Sequence, residues 1–358
     1  MSSNCRSPGG QRGAALIIAL VVVLLVAMLA TRVSSDYLVL FRTVENQSEL
    51  QQARSYLRGA ELVAEAALLR DMQASGDIDS ALEPWARRAD LPVPEGLMSA
   101  CLADLQARLN LNDLVGPEGG YSPAQKRFIR LLQAVDANID SVAATALANA
   151  VFDWVDGDDD TRYPGGAETL DYGQLPQPYR PANQPFASVT ELRLIKGFSA
   201  ELAAALTPHV SVWGNGNINL NTLDAHISAQ ADPSKVPVML RTLNTADTLL
   251  PLSIEGALLL AAARGNSGGV LQNLELFNDA PFTAQDWELD GVELTSAYFE
   301  LTAVMRTTQR AWSMTSVLHR AVSPAGVPQI TVVSRRYDQG AGGTRHEMEN
   351  ASCAAALP

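Results

Sequence analysis

Cysteine, histidine and positive charge are all scarce in this chain of 358 residues, which holds three cysteines, four histidines and 26 basic residues against 39 acidic ones. Three cysteines without a C-x-x-C pair exclude a disulfide-dense scaffold and a cysteine zinc site. His209, His226, His319 and His346 are scattered, and neither H-E-x-x-H nor a P-loop occurs. A formal charge of -13 repels nucleic acid, which is excluded as a partner. Gly265-Asn266-Ser267-Gly268-Gly269 fits G-x-S-x-G, but a nucleophile elbow follows a strand, whereas Ile254 to Arg264 reads as a helix. Catalysis is not indicated.

Proline is absent from Ala14 to Met72, and within that stretch Ala14 to Ala30 is an unbroken apolar run of 17 residues. As a helix the run covers roughly 26 Å, close to the hydrocarbon thickness of a bilayer. The residues after it, Thr31-Arg32-Val33, offer no A-x-A cleavage site, and the small-residue junction Gly13-Ala14 lies before it. The apolar helix is therefore expected to stay on the mature protein. Val33, Tyr37, Leu40 and Val44, then Ala53, Leu57, Ala60, Ala64 and Ala67, continue one apolar face at helical spacing. A single helix of roughly 88 Å is predicted, its outer half packed on a folded domain. The alternative is a plain anchor followed by a separate amphipathic helix.

At 47% hydrophobic and 18% charged, the chain can bury a sizeable core. After a turn-rich stretch from Glu83 to Gly96, Met98 to Leu111 reads as a strand, with Leu105, Ala107, Leu109 and Leu111 on one face. Strand character returns in Tyr298 to Met305, Ala311 to Ala321 and Gln329 to Tyr337, which suit an antiparallel meander. The expected fold class is α+β, a long N-terminal helix on a small antiparallel sheet with a large all-α domain inserted. The expected boundaries are 1–13 for a leader, 14–31 for the membrane part of the helix, 32–111 for the first part of the sheet domain, 112–291 for the insert, 292–340 for the last strands and 341–358 for a flexible tail. Within the insert, Leu109-Asn110-Leu111-Asn112-Asp113-Leu114 is echoed by Ile218-Asn219-Leu220-Asn221-Thr222-Leu223. Glu191 to Leu206 looks like a helix-hairpin-helix used for packing, since Arg193 and Lys196 give it little basic surface.

The most concentrated chemistry is Asp153-Trp154-Val155-Asp156-Gly157-Asp158-Asp159-Asp160, five carboxylates in eight residues, with Glu168 and Asp171 following. Asp156, Asp158 and Asp160 alternate, so a loop could turn their oxygens toward one hard cation. It is not an EF-hand, because Thr161 stands where the glycine belongs and Ala167 where the glutamate belongs. A solvated acidic loop is the other reading.

Gly13 and Ala14 before the apolar run resemble the cleavage site in the prepilin-type leader of type IV pilins and type II secretion pseudopilins. The fifth residue after that junction, glutamate in most of that superfamily, is Ile18 here. Leu105 to Asn112, Phe152-Asp153-Trp154-Val155-Asp156, Tyr179-Arg180-Pro181-Ala182-Asn183 and Glu191-Leu192 to Gly197-Phe198 together resemble the GspK family of minor pseudopilins, over nearly the whole chain. The resemblance implies a non-enzymatic subunit at the tip of the periplasmic pseudopilus, supporting export of folded proteins across the outer membrane. It implies prepilin peptidase, two other minor pseudopilins in a heterotrimeric tip complex, the bacterial inner membrane and secreted substrates as partners, a single-pass anchor with the C-terminal domain in the periplasm, and a methylated N-terminus. It also implies calcium, with Asp156, Asp158, Asp160 and Glu168 as candidate ligands. Cleavage would remove Cys5 with Arg6 and Arg12, leaving a formal -15 from 24 basic and 39 acidic residues. Cys101 and Cys353 could then pair in an oxidising compartment, or remain two free thiols. A single-pass periplasmic protein that binds a metal or ligand is the alternative from a different class.

Overall fold

The computed structural model describes residues 12–74, 78–115, 120–225, 235–283, 286–308 and 310–339. The chain divides into two compact units, Met1–Tyr56 and Leu57–Pro358. Helix α1, Arg12–Ala74, runs through without a break, as the missing proline predicts. Its membrane-side residues, from Leu16 to Leu29, expose their apolar side chains, and one window of 18 residues reaches a mean hydropathy of 2.8. It is long and apolar enough to cross a bilayer.

In the second unit, Leu57, Ala60, Ala64 and Leu68 form the buried stripe of α1. It packs on a five-stranded antiparallel sheet in the order β1-β2-β7-β8-β9, formed by β1 (Ala89–Val93), β2 (Gly96–Asp104), β7 (Tyr298–Arg306), β8 (Ala311–Val322) and β9 (Pro328–Gln339). The Glu61 carboxylate on α1 accepts hydrogen bonds from Ser316 Oγ at 2.6 Å and Arg335 Nε at 2.9 Å, residues paired across β8 and β9. Polar pinning therefore fixes the helix position that apolar packing alone leaves free to slide.

The three C-terminal strands fall where the alternation puts them, but the N-terminal part of the sheet differs from expectation. The stretch expected to be turns contains β1, an edge strand that tolerates Pro92 because its outer side needs no ladder bond. The strand expected to reach Leu111 stops at Asp104, whose Oδ1 accepts from the Gln106 N–H at 2.7 Å and turns Leu105–Ala107 into a 3-10 turn. The apolar residues that follow enter a different core.

Between β2 and β7 the chain forms α2 (Pro123–Val135), α3 (Ser141–Val155), α4 (Thr169–Gly173), α5 (Ala200–Leu206) and α6 (Ile254–Asn266). Two minimal parallel ladders tie them together, β3 (Leu109–Asn110) with β4 (Val210–Ser211) and β5 (Ile218–Asn219) with β6 (Val292–Glu293). The sequence echo is thus a structural echo. Asn110 and Asn219 each accept from the backbone N–H two residues on. Asn112 then clasps Phe186 through both its N–H and its C=O, and Asn221 clasps Leu271 in the same way. At the junction with the sheet, the buried Asp104 Oδ2 accepts from Thr222 Oγ1 at 2.6 Å and Ser296 Oγ at 2.7 Å, and the Ser296 N–H donates to Asp79 Oδ2 at 2.7 Å.

Candidate functional site

The acidic segment is held in place by what flanks it. Helix α3 starts on an Asp140 cap, whose side chain accepts from the Ala143 N–H, and ends with Asp156 as its C-cap. This puts Asp153 on the last helical turn and Asp158 in the loop beyond. Glu168 is the N-cap of α4, and its backbone N–H donates to Asp171 Oδ2 at 3.3 Å. Gly165, at φ +83°, and Gly166 let the loop lie directly on α3, where a Cβ would collide with Ala146 and with the Asp153 carboxylate respectively. Behind the loop Trp154, Tyr172 and Tyr179 pack ring against ring, at centroid distances of 5.2 to 6.4 Å.

One carboxylate oxygen from each of Asp156, Asp158 and Glu168 lies within 4.8 Å of the other two. With calcium–oxygen distances of about 2.3–2.6 Å, a single ion can touch all three. Asp160 does not join them; it is exposed, and its N–H donates to Asp158 Oδ1 at 2.9 Å, which fixes the loop's turn instead. Asp153, absent from the expected set, is fully buried beside them and takes the N–H groups of Arg162 and Ala167 on Oδ2. Asn183 arrives from a separate segment, with its N–H on the Trp154 carbonyl and its Nδ2 on the Asp158 carbonyl.

The donor set fits a hard cation because its oxygens are orphaned. Asp153 Oδ1, Asp156 Oδ1, both Glu168 oxygens and Asn183 Oδ1 are buried without a hydrogen-bond donor. Burial, reinforced by the neighbouring Asp153 and Asp156 charges, pushes the Glu168 carboxyl up to about 8. Burial likewise pushes Asp153 up to about 6, against the backbone N–H of Arg162, which pulls it down. Such a cluster is expensive as bare anions, and a divalent ion bound by oxygen would relieve it.

The other expected sites are dispersed. Gly13 and Ala14 fall in the first turn of α1, and Ile18 is exposed a turn later. Cys101 is buried on β2, while Cys353 and the expected tail lie outside the described residues, as does the leader up to Gln11. Ser267 is the C-cap of α6, not the tip of a strand-to-helix elbow, so the G-x-S-x-G match supplies no nucleophile.

Residues 107–215, which include the acidic site, match the family model described as type II secretion system (T2SS), protein K. Type II secretion system protein K of Aeromonas hydrophila is 31% identical over 232 residues, covering 62% of this chain and 69% of that protein. The Pseudomonas aeruginosa protein of the same name is 32% identical over 237 residues, covering 63% and 70%. This chain belongs to the type II secretion system protein K family. It is a minor pseudopilin. The fold is shared with the crystal structure of the GspK-GspI-GspJ complex from enterotoxigenic Escherichia coli, at a TM-score of 0.64 and 24% identity, over 83% of this chain and 99% of that one.

Proposed function

We propose that this minor pseudopilin is a non-enzymatic subunit that caps the periplasmic tip of the pseudopilus, anchored in the inner membrane by α1 and joined to two other minor pseudopilins. The observation that carries this reading is the excursion of roughly 190 residues between neighbouring strands β2 and β7. A body of that size would collide with the next subunit inside a helical shaft and finds room only at its end. Ile18 supports the same polarity, since a subunit lacking a carboxylate there has no charge partner for the terminal amine of a subunit beyond it. The related complex from enterotoxigenic Escherichia coli joins GspK to GspI and GspJ. On this chain the outward stripe of α1 suits such a partner: Leu62 and Val63 are both 65% exposed, and Gly59 has open space around it.

Forms of the three minor pseudopilins lacking their apolar helices are expected to co-elute as a 1:1:1 complex from a sizing column. Separate elution, or labelled protein found regularly along the filament shaft, would refute the tip assignment. Prepilin peptidase is expected to cut between Gly13 and Ala14, giving a methylated N-terminal Ala14 in the mass spectrum. An intact Met1 would favour an ordinary anchored binding protein.

Calcium is proposed to occupy the site of Asp156, Asp158 and Glu168, with Asp153 and Asn183 beside it. When bound, the ion would neutralise the cluster and join α3, the acidic loop and α4. A ligand that binds only the folded state raises its melting temperature. Calcium is therefore expected to stabilise the protein against chelator, and Asp156→Ala with Asp158→Ala to abolish that increment in scanning calorimetry.

A further inference from the structure

One positive group already reaches into the acidic site. The Arg162 guanidinium lies with Nε 3.6 Å from Asp153 Oδ1 and Nη2 3.4 Å from Asp156 Oδ2. The Asp156 contact is a long hydrogen bond and the Asp153 contact an ion pair, both longer than the roughly 2.7–2.9 Å of a close charge-assisted bond. It also lies over the Phe152 ring, 5.7 Å from the centroid, a second attractive environment for a cation. Its backbone is fixed separately. The Arg162 N–H donates to Asp153 Oδ2 and its carbonyl accepts from the Gly166 N–H, so the loop is held by backbone bonds that do not depend on where the guanidinium lies.

From this geometry we propose that Arg162 is a tethered competitor of the metal, a built-in cation that occupies the carboxylate site in the metal-free protein and withdraws when a divalent ion binds. The proposal rests on the calcium reading of the same site. The charge comparison gives it direction. Asp153, Asp156, Asp158 and Glu168 bring up to four negative charges, and one guanidinium offsets one of them and leaves both Glu168 oxygens without a donor. A divalent ion supplies twice the charge from a compact centre that can contact Asp156, Asp158 and Glu168 together. Bound metal and guanidinium cannot share Asp156 without mutual repulsion, so the arginine sets a concentration threshold below which the site stays closed on itself.

The test is calcium titration by calorimetry on the full chain in detergent, comparing wild type with Arg162→Gln and Arg162→Lys, together with melting temperatures in chelator and in calcium. Arg162→Gln is expected to bind calcium roughly tenfold tighter or more, because a like charge a few ångströms from the ion is removed. It is also expected to melt lower than wild type in chelator, where the acidic cluster has lost the positive charge beside Asp153 and Asp156. Arg162→Lys keeps the charge and is expected to stay near wild type in affinity. Equal or weaker calcium binding by Arg162→Gln, with wild type binding normally, would overturn the competitor while leaving the calcium reading intact. If only Arg162→Gln binds, the competitor stands and calcium is not the resting protein's ligand. Binding by none of the three refutes both.

Discussion

Asp224 illustrates how much one buried carboxylate can hold in place. Its backbone is left-handed at φ +45°, its Oδ2 accepts from the Leu240 N–H at 2.8 Å, and Arg264 donates to the Leu220 and Asp224 carbonyls at 3.0 Å. Burial, opposed by that N–H and by Arg264, pushes the carboxyl from 3.8 up to about 6. Between those two values the unfolded chain has released a proton that the folded one keeps, so stability falls as pH rises through the window and levels off above it. Asp224→Asn keeps an acceptor for Leu240 without the charge. Its chemical denaturation is expected to show a shallower fall between pH 4 and 6 than wild type and a gain of up to about 2 kcal/mol at pH 7. At the acidic site, single residues were legible to different degrees. Asp156, Asp158 and Glu168 announce themselves by acidity and spacing, whereas Asp160, suggested by the same alternation, lies outside that trio and gives its N–H to Asp158. Asn183 stands in a block that resembles the family but carries no local sign of a place beside these carboxylates; a backbone bond to Trp154, far behind it in sequence, brings it there.

Among the elements, α1 and the three C-terminal strands could be read from periodicity, because their patterns coincide with the faces they bury. The end of β2 could not. Leu105, Ala107, Leu109 and Leu111 alternate as a strand does, yet the Asp104 side chain turns the backbone first, and Leu105 and Leu109 are buried by partners far along the chain. The attachment of α1 was equally hidden, since apolar spacing gives the face but not the register along the sheet. Glu61 supplies that register. Glu61→Ala would leave Arg335 without its carboxylate partner and Ser316 buried without an acceptor, costing about 3 kcal/mol. Urea unfolding of a form beginning at Ser34 would measure it, and Glu61→Gln, which retains an acceptor, is expected to lose less.

At the scale of the second unit, the sheet and the domain that interrupts it meet through polar groups. Asp104 is buried with Thr222 and Ser296 as donors, Ser296 in turn reaches Asp79, and Asn219 Nδ2 bonds both Ser296 Oγ and the Asp79 carbonyl. A network satisfied at each of these positions holds one geometry, where an apolar contact would admit several. Thr222→Val keeps the shape but deprives a buried carboxylate of a donor. It is expected to cost about 2 kcal/mol and to lower the melting temperature of the full chain in detergent, as read by scanning calorimetry.

The register of β2 against β7 reaches further. Asp104 is paired directly with Phe299, so the chain departs and returns across the width of a single strand spacing. To the sheet, everything between those two residues is the turn of one hairpin, and a gene could lengthen, exchange or delete it without re-registering a single strand pair. Descent by such splicing would let the sheet evolve under the demands of filament packing while its passenger answered to whatever lies beyond the filament's end.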